Sequence, residues 1–254
     1  MPRRTPPAVR PRRARTLTVA LVATVATLAA TLTAVAAPAA SAVMGQPAFA
    51  ERVPAGTTQV VRTVRTHRWC DRVYCTKTQA WEKVADSWQL ARLADGRPAE
   101  FRSTIGPRGF AAPGKRHEGD GTSPTGVFRI KTTFSTTTTN PGWMPWRRRL
   151  PTSTVTNYSG RLYNVWIEEP GRTDGNRPSM RYGFWVDYNH ARFLGDPGPM
   201  AVQGKGSGIF YHTSRPGREW VATQGCTQVG DPALMRWIVK WLRPEAQPRV
   251  ANNV

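Results

Sequence analysis

Cys226 and His212 are the side chains whose types and spacing invite covalent chemistry. His212 ends an apolar run, Gly208-Ile-Phe-Tyr-His212. A polar loop of 13 residues separates it from Cys226 and ends in Thr223-Gln224-Gly225. A free thiol has a pKa of about 8.5, so only a few per cent is thiolate at neutral pH. An imidazole within reach takes the proton and makes the sulfur a nucleophile. Gly225, lacking a side chain, lets the backbone approach a substrate carbonyl. The N–H groups around Gly225 and Cys226 are candidates for an oxyanion hole, where one donor is worth about 10²–10³ in rate. Thr213 can orient the imidazole through its main-chain carbonyl, because the third member of a triad need not be a carboxylate. Spacing alone leaves a second reading open, in which His212 and Cys226 are unrelated residues of a strand and a loop.

The cysteine count sharpens the choice. There are three, an odd number. Cys70 and Cys75 lie close together, and a local disulfide between them is the simplest pairing in an oxidising compartment. Cys226 is then alone, and an unpaired cysteine is intermolecular, buried and inert, or reactive.

The oxidising compartment is inferred from the first 42 residues. Residues 1–15 hold six arginines and no acid, residues 16–50 have no charged side chain, and Ala40-Ser41-Ala42 offers small residues for cleavage. This order reads as a secretory signal peptide over residues 1–42. An uncleaved anchor is the alternative, and only then would the protein be held at a membrane. The full chain carries +20. Removing the leader's six arginines leaves 30 basic against 16 acidic residues, or +14. Export argues against a nucleic-acid partner for so basic a protein. The charge is scattered apart from Arg147-Arg148-Arg149, and reads as general affinity for anionic cell-wall polymers.

The elements that must position this pair are mostly strands. Residues 43–58 read as a linker. Residues 59–99 alternate in short β-branched and aromatic runs, as an N-terminal β segment of the same domain or a small appendage. Residues 100–254 read as the catalytic domain. Gly106–Gly126 is dense in Gly and Pro and must turn and pack closely. Val127–Ile130, Leu162–Ile167, Phe184–Tyr188 and Gly208–His212 read as strands, and Thr132–Thr139 as a surface loop. One helix stands out, capped by Asp231, with Pro232 in its first turn and Leu234, Trp237, Ile238, Trp241 and Leu242 on one face. The expected class is mainly β, a β-sandwich with one or two short helices, including a C-terminal one.

The stretch from His212 to Thr223-Gln224-Gly225-Cys226 resembles the motif of the L,D-transpeptidase (YkuD-type) family, in its actinobacterial-like members. Phe110-Ala111 through Gly126-Val127-Phe128 resembles another family region, as do the Tyr163-Asn164 and Tyr188-Asn189 pairs. Many members carry a second His where Gln224 stands, and Asn or Arg where Gln228 stands, which marks a divergent branch. The resemblance implies a Cys226 thioester on a peptidoglycan peptide stem, release of D-Ala assisted by His212, and a 3→3 cross-link made by a second stem's amine. Water as acceptor would make an L,D-carboxypeptidase. It implies no cofactor and no metal, a secreted, wall-associated enzyme, and a monomer is expected. Gln224, Gln228, Tyr188 and Asn189 are the expected substrate contacts. Lys205, between glycines, is a candidate for a substrate carboxylate. His67, His117 and His190 have no paired spacing for zinc, and Glu118 with Asp120 reads as a turn. The rival class is a non-catalytic wall-binding protein that keeps the fold and uses exposed Trp143 and Trp146.

Overall fold

The computed structural model describes residues 46–254; the expected leader lies outside them. β1 (Gln59–Arg65) and β2 (Cys75–Val84) form a long antiparallel hairpin, with Gln59 opposite Glu82 and Arg65 opposite Thr76. The connection between them is closed by a Cys70–Cys75 disulfide. β2 turns back into β3 (Ser87–Leu90) through Ala85 and Asp86, both at positive φ, the conformation that matches a two-residue hairpin turn to strand twist.

β4 (Glu100–Thr104) lies antiparallel to the other edge of β2. β5 (Gly126–Ser135) is followed by β6 (Trp146–Arg148), β7 (Ser153–Val155), β8 (Val165–Glu168), β9 (Tyr182–Val186) and β10 (Arg192–Phe193). β11 (Phe210–Thr213), β12 (Thr227–Val229), the helix α1 (Pro232–Trp241) and β13 (Arg249–Asn252) complete the order.

Pairing runs β1-β13-β5-β9-β11-β12-β4-β2, and β2 pairs again with β1. The main sheet therefore closes on itself in a barrel-like ring, where the sequence had suggested two facing sheets. Closure removes free edges from these strands. A separate three-stranded sheet, β10-β8-β7, lies outside that ring. The mainly β class and the C-terminal helix hold.

Two apolar clusters matter for the site. The first gathers Phe101, Ile130, Phe184, Tyr211, Val229 and Val250 with Met235, Ile238, Val239 and Leu242 of α1. Tyr211 stacks on Phe184 with ring centroids 4.7 Å apart. The second gathers Phe134, Trp166, Trp185 and Phe210, with Cys226 packed against it. Side chains alternate across a strand. Tyr211 therefore takes one face of β11, while Phe210 and His212 take the other.

Three expectations change. Thr132–Ser135 is not a surface loop but the buried end of β5, set between β9 and β6. A register shift at Ile130/Thr132 lets this Thr-rich run continue the strand, and β-branched threonine suits a pleated, buried surface. The helix buries Met235 and Val239 as well as Ile238 and Leu242, while Leu234, Trp237 and Trp241 flank the core. Phe49, inside the stretch read as a linker, is fully buried against Trp81 and Trp88.

Candidate active site

β11 and β12 run parallel, with His212 opposite Gln228. Cys226 lies two residues before Gln228, so it shares that face and sits beside Phe210, whose cluster it joins. This register brings the predicted pair to one face of the sheet.

His212 is 6 % exposed. Its Nδ1 lies 2.6 Å from the Thr213 carbonyl oxygen. A carbonyl only accepts, so Nδ1 carries the proton and Nε2 holds a free lone pair. Burial lowers its pKa to about 4; the Thr213 carbonyl opposes the shift, and the charges of Arg177 and Arg149 reinforce it. His212 is therefore neutral at physiological pH.

Cys226 is the free cysteine. Its thiol donates to the Gly208 carbonyl at 3.3 Å. Burial pushes its pKa up, against the Phe210 N–H and the guanidinium charges of Arg116, Arg177 and Arg149. The resting pair is thus thiol and imidazole, not thiolate and imidazolium.

The loop carrying Cys226 is tightly held. Gly225 has φ +129°, and a Cβ on it would lie 2.9 Å from both Arg116 Nη2 and the Thr122 carbonyl oxygen. Its N–H donates to Thr223 Oγ1 at 3.1 Å, so that donor is engaged within the loop. Its carbonyl accepts from Ser123 Oγ at 2.7 Å, and Ser123 Oγ also receives the Gly106 N–H.

A family model for the L,D-transpeptidase catalytic domain (YkuD) matches residues 83–250. The chain belongs to that family. No curated protein matches it. The L,D-transpeptidase match begins inside β2 and ends inside β13, so β1 and most of β2, which complete the ring, precede it. L,D-transpeptidases act on the cell wall, and their substrate class is peptidoglycan peptides.

The other predicted contacts of this L,D-transpeptidase domain lie in two places. Gln224 is exposed beside Cys226. Gln228 is buried, and its Nε2 donates to the carbonyls of Arg218 and Glu219, tying down the loop between His212 and Cys226. Tyr188, Asn189 and Lys205 form a knot behind the site. Asn189 donates to the carbonyls of Val202 and Gly206 and accepts from the Val202 N–H. Tyr188 Oη and Arg116 Nη1 both donate to the Lys205 carbonyl. Asp120 accepts from His117 N and from Thr122 N and Oγ1, as a turn residue does. His67, His117 and His190 are exposed. Among the described residues no group of three or more His, Cys, Asp or Glu is placed to hold a metal ion.

Sequence reasoning missed Arg116, Ser123, Asn164 and Arg149. Asn164 accepts from Gly208 N and donates to the carbonyls of Tyr188 and Asn189, fixing the entry to β11. Arg149 corrects the reading of its arginine run as surface charge: it is 6 % exposed. The only signal for Asn164 was the Tyr-Asn pairing; nothing in the sequence distinguished Arg149 from its neighbours.

Proposed function

We propose that the protein is an exported cysteine acyltransferase acting on peptidoglycan stem peptides, with Cys226 as nucleophile and His212 as base. The observation that carries this reading is the 2.6 Å contact of His212 Nδ1 with the Thr213 carbonyl, which assigns the proton to Nδ1 and the lone pair to Nε2. The thiol proton passes to Nε2 as sulfur attacks the carbonyl of the bond to the terminal D-Ala. The carbon–nitrogen bond breaks, and the leaving amine takes that proton. The thioester then meets the side-chain amine of a second stem. Nε2 removes the amine's proton, a 3→3 amide forms, and the thiol is restored. Because the resting pair is neutral, proton transfer accompanies attack and does not precede it.

Gly225 admits the substrate backbone, Thr213 orients the base, and exposed Gln224 contacts the stem. Residues 1–42 act as the export signal, and the basic surface favours anionic wall polymers. Buried engagement of Tyr188, Asn189 and Gln228 supports a shaping role for them.

The test is incubation with disaccharide tetrapeptides and mass spectrometry of the products. Loss of D-Ala with a cross-linked dimer, abolished in Cys226→Ala, is the expected result. Loss of D-Ala without dimer assigns the carboxypeptidase reaction. No product from wild type, with retained binding to wall sacculi, supports the wall-binding alternative, for which the 66 % exposure of Trp143 speaks.

A further inference from the structure

Arg149 follows β6 and points its guanidinium into the aromatic cluster beneath Cys226. Its carbon lies 4.6 Å from the Trp166 ring centroid, 5.3 Å from that of Phe210 and 5.5 Å from that of Phe134. Phe210 and Cys226 belong to this same cluster. Nε donates to the Gly175 carbonyl at 2.7 Å, and Nη2 to the Ser153 carbonyl at 3.4 Å. Nη1 is buried and has no partner.

Among the described residues no carboxylate lies within ion-pair distance of this guanidinium. Glu168 is the acid whose field reaches it, but its oxygens accept from Thr152, Ser153 and Trp166, and its ion-pair partner is Arg147. A buried cation without a counter-ion is costly, and aromatic faces offset only part of that. Both of its hydrogen-bond partners are neutral carbonyls, and what a neutral donor would lack is the charge.

We propose that Arg149 is a positioning residue of the site, its guanidinium adding to those of Arg116 and Arg177 the fixed positive charge that favours negative charge on the Cys226 sulfur as its proton leaves. The proposal rests on the reading of Cys226 as nucleophile. In the step concerned the sulfur–hydrogen bond breaks, the proton moves to His212 Nε2, and the electron pair stays on sulfur. His212 gains positive charge as sulfur gains negative charge, and Arg149 favours the second while opposing the first. That matches the directions at both groups, where its charge lowers the pKa of each. Burial, followed by the Arg177 charge, lowers the Arg149 pKa to about 10, so it stays charged through the working range. The other charged groups acting on the pair are Arg116 and Arg177, and Glu168 and Arg172 act on Arg149 itself.

The test is the pH profile of iodoacetamide alkylation on the full chain with its disulfide intact, which leaves Cys226 as the free thiol. C226S supplies the blank. R149Q and R149M should each move the midpoint up and slow alkylation near neutral pH several-fold. R149K should stay within about 0.3 unit of wild type, because it keeps the charge and loses the fork. Either neutral variant that folds, by its near-ultraviolet dichroism, decides the matter. A folded neutral variant with the wild-type midpoint overturns the proposal. So does R149K shifted as far as the neutral pair, since the fork's hydrogen bonds would then be the cause. Wild type that resists alkylation at every pH defeats the nucleophile reading itself, a failure visible before any Arg149 variant is made.

Discussion

Arg116 Nη2 stands 2.9 Å from the point where Gly225 would carry a Cβ. Arg116 has little freedom to retreat, because its Nε donates to the Thr122 carbonyl and its Nη1 to the Lys205 carbonyl. Gly225 also holds φ +129°, which L side chains rarely adopt. Gly225→Ala is therefore expected to cost about 2–4 kcal/mol, combining strain and overlap. The comparison is Gly114→Ala, also at positive φ but with nothing within 4 Å, which should cost about 1 kcal/mol. Urea denaturation of both variants measures the difference; equal losses would show that the contact with Arg116 contributes nothing.

His212 ties stability to acid. In the unfolded chain it titrates near pH 6.5, and in the folded protein near 4. Between those values the unfolded state binds more protons, so stability falls as pH drops through this window. The loss from this group is on the order of 3 kcal/mol and is complete below about pH 4. His212→Gln, which cannot titrate, should flatten the slope between pH 6.5 and 4. Unfolding free energies at several pH values test this, and an unchanged slope would reject it.

Ser123 joins the Gly-rich segment to the nucleophile loop. It is fully buried, donates to the Gly225 carbonyl and accepts from Gly106 N–H. Ser123→Ala leaves both main-chain groups without that partner, at a cost of about 2–3 kcal/mol. Because the Gly225 carbonyl adjoins Cys226, the alkylation rate of the thiol should change in the same variant. Thermal unfolding and alkylation kinetics read the two effects separately, and an intact rate would confine Ser123 to a stability role.

Gln228 anchors the loop from His212 to Cys226 through the carbonyls of Arg218 and Glu219. Arg215 and Arg218 are exposed on that loop. Gln228→Ala should cost about 1 kcal/mol in global stability yet make trypsin cut after Arg218 several-fold faster, because local opening no longer breaks those bonds. Peptide mapping of timed digests tests it; wild-type cleavage kinetics would place the loop's restraint elsewhere.

The candidate site was legible in the sequence where chemistry and spacing coincide. Cys226 was the odd cysteine, His212 ended an apolar run, and His212's strand pairs parallel with β12, which Cys226 immediately precedes. Asp231 and Pro232 marked the helix start, and Asp231 does accept the Ala233 N–H. Partners that depend on tertiary placement were not legible. Arg149 looks like Arg147 and Arg148 along the chain, and only the cluster of Trp166, Phe134 and Phe210 makes it different. Thr132–Ser135 runs without a break into the polar Thr136–Asn140 stretch, and only its pairing with β9 and β6 marks it as strand. Ring closure was invisible because it needs β13 to pair with both β1 and β5, across most of the chain.

That closure sets an order of events during folding. β13 is the last strand along the chain, yet it lies between β1, the first, and β5, from the middle of the chain. Pairings so distant in sequence form slowly. Under the proposed export, Cys226 stands unenclosed until they form, in the same oxidising medium as Cys70 and Cys75. The short hairpin connection works against the wrong bridge: Cys70 and Cys75 are five residues apart, and loops of that size close far faster than the ring. A nascent chain that oxidises them first reaches the closing step with Cys226 still reduced.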